Sequence, residues 1–297
     1  MHTFGITFAL IIDELKKGGE GLSYPSQLSL KTKLNQGGLS VGTYIKLNNA
    51  QIVEMMGYSQ FDFIIVDARH SAYSYESIME MIRTANGVGM SAVVRLPSNH
   101  EEHILHTIDL GAQGILMPIA DELAEIESVA AYMRYAPLGR LDFALTTRSG
   151  HYGLYKSDDY IEAFNEAFTS MVMIENLQMA GRINEICNIR NVDVIFIGVA
   201  SISAEMGKRG QTNDPEVLAV VRGITETVLR SGKFLGAYAG SMEEVKLYEA
   251  WGMHMVAYSS DLLMAAKRFQ QAYEQLDTFK EKRRKTLLNQ IKEAKDE

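Results

Sequence analysis

The sequence contains one cysteine, Cys187, in 297 residues. No disulfide can form within the chain, so a disulfide-built secreted scaffold is excluded and a reducing, cytoplasmic location is expected. Proline is scarce, at five residues, and no Pro- or Ser-rich stretch divides the chain; without a linker, one large domain is expected. Long hydrophobic runs are also missing. The apolar stretch at residues 4–12 is too short to span a bilayer and lacks the basic start and small-residue cleavage site of a leader. It reads as a short amphipathic helix, and no membrane partner is expected. Positive charge is in deficit: 29 Lys and Arg against 37 Asp and Glu give a net charge of −8, which disfavours a nucleic-acid partner. No GxGxxG follows the first strand-like run, so no nucleotide cofactor is indicated.

Hydrophobic residues make up 46% of the chain, enough for a sizeable core. They fall in eight short runs at 41–45, 63–67, 92–95, 114–118, 171–175, 194–198, 234–238 and 255–259. These runs are apolar on both faces, as parallel strands covered by helices should be. Helical patterns lie between them, at 75–85, 101–110, 121–134, 181–189, 214–230 and 241–251. Ser98 with Glu101 reads as a capping box, and Asp214-Pro215 as an N-cap followed by a first-turn proline. The alternation predicts an α/β fold, a (β/α)8 TIM barrel over 30–276. An N-terminal extension (1–29) precedes it and a charged helical tail (277–297) comes after it, solvated or in contact with a partner. A doubly wound open sheet is the rival, without its dinucleotide turn. The connection 137–170, with Arg140, Arg148 and His151, is long enough to be a lid or pocket wall.

Chemistry gathers where the strands stop. The segment FDFIIVDARH (61–70) carries apolar residues inward and then delivers Asp67, Arg69 and His70 together. SAVVR ends on Arg95, MVMIE on Glu175, and VDVIFIG runs into Gly198, Val199, Ala200 and Ser201. In barrels of this kind, active sites sit at the carboxyl ends of the strands. His70 is either a satisfied strand-end histidine or, with Asp67 and Arg95 near, an acid/base group. Arg95 either bridges strands or receives a carboxylate, the role its planar fork suits. Glu175 reads as the ion-pair partner of Lys46 or Arg69. Lys46 reads as a salt-bridge lysine, with a Schiff-base nucleophile as the sharper alternative. His100, His103 and His106 form a surface stripe rather than a metal site, His100 nearest the mouth. Cys187 and the sixteen methionines read as packing.

With these segments, and with VVRLPSN, IDLGAQGILMP, VMIEN, VDVIFIGVASISAEMG and the GAYA run at Gly236, the chain resembles the HpcH/HpaI aldolase family. These are pyruvate-binding barrels related to the citrate lyase β subunit, and the resemblance covers 30–276. It implies a divalent-metal-dependent lyase that cleaves a 4-hydroxy-2-oxo acid to pyruvate and an aldehyde, assembled as a homo-oligomer, a hexamer in the usual case. By the same resemblance Arg95 holds the oxo-acid and His70 moves the proton, oriented by Asp67. Glu175 binds Mg or Mn, Asp109 reaches a neighbouring subunit's site, and the turn with Gly198, Ala200 and Ser201 receives the substrate carboxylate.

The departures share one electrostatic direction. Ser201 stands where the family motif G-P-A-D has its second metal carboxylate, and Arg69 where D-x-E-H has a glutamate. Lys46 replaces a small residue, Tyr44 a tryptophan and Met173 a polar residue. The loop Pro-Pro-x-Gly-x-Arg-Gly has become APLGRLD at 136–142. Two acids leave the metal neighbourhood and two cations enter it, and unit charges near 4 Å interact by about 4 kcal/mol at an effective dielectric of 20. The expectation is that the cations Arg95, Arg69 and Lys46 hold the oxo-acid and stabilise its enolate, with Tyr44 lining the site. Retention of Mg or Mn by Glu175 and substrate oxygens is the alternative. A metal-independent lyase, decarboxylase or condensing enzyme, and a non-catalytic ligand-binding barrel, are the other readings of function.

Overall fold

The computed structural model of the chain describes residues 29–118 and 120–296, with side chains through 291. The apolar stretch 4–12, expected as a short helix, lies outside the described residues. Eight parallel strands close into a barrel in chain order: β1 (Ser40–Ile45), β2 (Phe63–Asp67), β3 (Ser91–Arg95), β4 (Gly114–Met117), β5 (Thr169–Ile174), β6 (Val194–Ile197), β7 (Phe234–Ala239) and β8 (Met255–Ser260). Each coincides with a run legible in the sequence, because strands buried on both faces have few polar positions to confuse the pattern. No described helix is long and apolar enough to cross a membrane.

Alternate strand residues fill the barrel. Tyr44, Phe63, Ile65, Val93, Leu116, Met171, Met173, Phe196 and Met255 form the interior cluster, while Ile64, Val66, Ala92 and Val94 pack outward under the helices. Gly42 is where the interior is tightest. A Cβ there would lie 2.3 Å from the Phe63 ring, so glycine is required for the ring to occupy the barrel.

The foot of the barrel, at the N-terminal ends of the strands, is closed by a helix at Leu30–Asn35. Leu30 and Leu34 enter the interior cluster. Lys31 pairs with Asp193 at 2.8 Å, the Lys33 ammonium donates to the Asp62 carbonyl at 2.9 Å, and the Ser29 hydroxyl donates to the Ala167 carbonyl. Arg134, buried at the same end, donates to Phe168 O, Ser170 Oγ and Asp193 Oδ2. With the foot sealed, the opposite mouth carries the polar strand ends.

Several local expectations change. The connection 137–170 contains a helix, Ser157–Ala167. Its polar anchors lie at the foot: Arg148 donates to Leu110 O and Asn86 Oδ1, and Ser149 N to Asp109 O. The helix Leu123–Tyr132 leads away from the mouth, so the connection after it starts at the foot and does not wall the mouth. The expected helix 181–189 is two helices, Leu177–Gly181 and Ile183–Cys187, broken at Arg182 (φ −104°, ψ 17°). The Ser98 capping box does not form. The helix Glu101–Asp109 has His100 at its N-cap, with no side-chain cap bond; Ser98 lies two residues earlier, lining the cavity at the mouth with its hydroxyl buried and without a hydrogen-bond partner among the described residues. Asp214 caps as expected, accepting from Glu216 N at 2.9 Å. The final helix runs unbroken from Asp261 to Asp296; its start packs on β1 and β8, and Phe269, Tyr273, Leu276 and Phe279 are exposed.

Leu30 is completely buried in the foot. Leu30→Ala is expected to lower stability by about 2–5 kcal/mol in urea denaturation; a loss below about 0.5 kcal/mol, the range of surface substitutions, would contradict the seal.

Candidate active site

The mouth is organised by four charged side chains from four strand ends. Arg95 is the last residue of β3 and pairs in register with Asp67, the last of β2. Its guanidinium reaches across β4 to Glu175, just beyond β5. Nη2 lies 3.1 Å from both Glu175 carboxylate oxygens, and Nη1 lies 3.9 Å from Asp67 Oδ1. Lys46, just past β1, places its ammonium 2.5 Å from Asp67 Oδ2. The carboxylates and Arg95 are nearly out of solvent, at 1%, 10% and 7% exposure for Asp67, Glu175 and Arg95, while Lys46 keeps 26%. Groups this deeply buried persist as ions only when paired. Here two cations meet two anions.

Glu175 therefore pairs with Arg95, not with Lys46 or Arg69 as the sequence pattern indicated, because Arg95 already lies inside the barrel rim and needs no long reach. Ser201 completes the arrangement by donating its hydroxyl to Glu175 Oε1 at 3.1 Å. Gly198 makes this approach practicable: a Cβ there would stand 2.8 Å from Glu175 Cγ. The residues from Val199 form a helix, Val199–Glu205, and Ser201 N and Ile202 N bond back to Gly198 O.

Asp67 Oδ1 accepts the backbone N–H groups of Arg69 and His70, each at 3.2 Å. It fixes the turn that carries His70, and no bond between Asp67 and the imidazole accompanies these two. His70 stands exposed at the mouth. Partial burial and the nearby Arg95 guanidinium push its pKa below the ordinary value, with Asp67 opposing. Tyr44 is buried on the interior side, edge-on to Phe196 and Tyr238. Burial raises its phenol well above the ordinary range, Arg95 opposes the rise, and the Asp67 and Glu175 carboxylates add to it. It remains a neutral O–H donor at any working pH. Neither the Tyr44 hydroxyl nor Arg95 Nε has a hydrogen-bond partner among the described residues.

Other expected residues separate from this cluster. Among the described residues Arg69 pairs with no carboxylate; its side chain makes a 3.4 Å bond to the Pro97 carbonyl. It faces a cavity of about 380 Å³ beside the cluster, lined also by Ser98, Asn99, His100, Pro118 and Glu125. His100 thus lies at the mouth, whereas His103 bonds Tyr75 OH at 2.8 Å and His106 leans toward Glu102. Asp109 ends its helix at the foot, far from its own chain's cluster, and burial raises its carboxyl pKa.

Asp261 belongs to no motif in the sequence, and Tyr238 lies in the GAYA run without a role assigned to it there. Asp261, buried at the start of the final helix, accepts Lys46 N at 2.8 Å and Leu47 N at 2.9 Å and so sets the loop from which Lys46 projects. Its signal lies in YSSD, an acid arriving as β8 stops, as Asp67 does at the end of β2. Tyr238, on β7, faces Tyr44 with ring centroids 6.0 Å apart.

The residues do not fit a divalent cation. The expected ligand Glu175 already accepts Arg95 on both oxygens and Ser201 on one, and the position of the second acid presents a hydroxyl that donates. No group of three or more His, Cys, Asp or Glu able to hold a metal occurs among the described residues. The ion pair of Lys46 with Asp67 likewise engages the ammonium and favours the salt-bridge reading over a Schiff base.

A family model described as HpcH/HpaI aldolase/citrate lyase matches residues 40–267. A 5-keto-4-deoxy-D-glucarate aldolase of Shigella dysenteriae serotype 1 (strain Sd197) is 28% identical over 243 residues, 82% of this chain and 93% of its own. Among solved structures, a citrate synthase is 27% identical with a TM-score of 0.76, over 86% of this chain and 99% of its own. An HpcH/HpaI aldolase from Desulfitobacterium hafniense DCB-2 shares the fold, with a TM-score of 0.80 at 24% identity over 84% and 96% of the two chains.

The electrostatics of His70 are open to direct measurement. Its NMR titration midpoint, assigned through loss of the resonance in His70→Asn, is expected below the ordinary value of about 6.5. A midpoint at or above about 6.5 would contradict the influence assigned to burial and the Arg95 guanidinium.

Proposed function

Since the chain belongs to the HpcH/HpaI aldolase/citrate lyase family, we propose that it is a carbon–carbon lyase cleaving or forming a 4-hydroxy-2-oxo acid through a pyruvate-type enolate. The observation that carries this reading is the surplus of donors at the mouth. Lys46 has three N–H donors and Arg95 five, and between them they meet only two carboxylates. Tyr44 OH and Arg95 Nε are left over. A small oxo-acid brings the missing acceptors, its carboxylate and its carbonyl.

In cleavage, His70 takes the proton of the C4 hydroxyl. The C3–C4 bond breaks, its electrons pass to the C2 carbonyl oxygen, and the aldehyde departs. The proton held by His70 then returns to C3 and gives pyruvate. The main electrostatic task is the developing charge on the C2 oxygen, and preorganised cations in a site shielded from water perform it best. The turn at Gly198 and Ala200 lies beside Glu175 and receives the oxo-acid's carboxylate in this reading, with Ser201 lining it while its N–H and O–H bond Gly198 O and Glu175. The cavity at Arg69 leaves room for the aldehyde fragment.

Run in the other direction, the same enolate forms a carbon–carbon bond, and the 27% identity to a citrate synthase favours keeping condensation as the second reading. The relative from Shigella is named for 5-keto-4-deoxy-D-glucarate, which makes that compound the first substrate to try. A homo-oligomer, with Asp109 reaching a neighbouring subunit, and a cytoplasmic location belong to the same proposal.

Enolate formation can be read without knowing the aldehyde, as exchange of the pyruvate methyl protons in deuterated water. The exchange is expected to be catalysed by the protein and to fall about 10²–10⁴-fold in His70→Ala, the usual contribution of a general acid–base group. No exchange, or exchange unchanged by His70→Ala, would contradict the reading.

A further inference from the structure

The geometry points to a site that holds the oxo-acid and its enolate without a divalent cation, with the Lys46 ammonium, beside Arg95, supplying the positive charge. This inference rests on the oxo-acid reading above and adds a catalytic residue to it.

A metal site needs carboxylate oxygens facing a common point with lone pairs to spare. Glu175 has given both oxygens to Arg95 and one of them also to Ser201. Asp67 has given one oxygen to two backbone N–H groups and the other to Lys46. Asp261 holds the backbone of Lys46, Leu47 and Leu262. Glu244, buried beyond the end of β7, accepts from the Thr212 hydroxyl on one oxygen and from Gly240 N on the other. Each of these buried acids is committed to donors of the chain itself.

The cations are committed only in part. Lys46 makes one ion pair with three N–H donors, and its side chain is the most exposed of the four charged groups. Its placement is fixed from two sides, by Asp67 at the ammonium and by Asp261 at the backbone. A positioned ammonium that retains free donors at the rim of a charge-balanced cluster is suited to an arriving anion. The formal charges of Lys46, Arg95, Asp67 and Glu175 cancel, so the oxo-acid adds the charge that those free donors meet. Arg69 does not share this role, because its guanidinium turns to the Pro97 carbonyl and the neighbouring cavity.

Calorimetry with oxalate, a planar analogue of the pyruvate enolate, separates the alternatives on the full chain. The expected result is an affinity in EDTA within about twofold of that with Mn²⁺, weakened at least tenfold by Lys46→Met and largely restored by Lys46→Arg. The restoring variant guards against a fold disturbed by leaving Asp67 unpaired. In the double variant Lys46→Met/Ser201→Asp, oxalate binding should become dependent on Mn²⁺. Binding that disappears in EDTA and returns with Mn²⁺ in the unsubstituted protein would overturn the inference while leaving the oxo-acid reading intact. Unchanged affinity in Lys46→Met would also overturn it. No oxalate binding in either condition would overturn both.

Discussion

The mouth of this barrel depends on the buried pair of Arg95 and Glu175. The two residues belong to strand ends separated by β4, so their contact spans the rim and fixes the positions of two walls at once. Both are almost entirely out of water, where breaking such a pair by removing one partner commonly costs about 3–5 kcal/mol. The pair also decides the chemistry. A carboxylate whose two oxygens lie 3.1 Å from a guanidinium nitrogen is an ion-pair partner first and a metal ligand only at the expense of that pair. Ser201 follows from the same constraint, since a hydroxyl can donate to the engaged carboxylate where a second acid would repel it.

From this pair the remaining features follow in sequence. Arg95 draws Asp67 near, Asp67 holds the ammonium of Lys46 and the backbone turn that presents His70, and Asp261 anchors the loop of Lys46 from the adjoining end of β8. The lowered pKa of His70 is one outcome, because a partly buried histidine at a cation-rich rim resists protonation. The elevated phenol of Tyr44 is another, and keeps a neutral donor on the interior side. The foot stands apart from this chemistry. There Arg134 and Lys31 meet Asp193, and the helix at Leu30–Asn35 seals the interior, so that stability and chemistry occupy opposite ends of the barrel.

Much of this is legible in the sequence, for reasons particular residues make plain. The eight strands can be read because parallel strands covered by helices are apolar throughout. Asp67, Arg95 and Glu175 can be read because an ionisable residue closing such a run has few structural reasons to be there. Which charge pairs with which cannot be read. Along the chain Lys46 and Arg69 are the candidates for Glu175, and only the reach of Arg95 across β4 shows the pair that forms. Ser98 and Glu101 have the spacing of a capping box, but the helix begins at Glu101 with His100 at its N-cap, two residues past the serine. The connection 137–170 has the length of a lid; its direction from the foot depends on where the preceding helix ends, which composition does not encode. Asp261 is hidden because it belongs to no motif and opens a long polar helix, although its signal is of the same kind as that of Asp67.

Everything at the mouth requires that Glu175 be committed to Arg95 in the ligand-free protein. A double-mutant cycle on stability, with Arg95→Met, Glu175→Gln and the combined variant in urea denaturation, measures that commitment most directly. A coupling of about 2–3 kcal/mol is expected, toward the upper end for residues in one network, with the combined variant less destabilised than the sum of the two single variants. A coupling near zero would mean that the carboxylate is not held by the arginine and stands free for another ligand, and the metal-free reading of the mouth would lose its foundation.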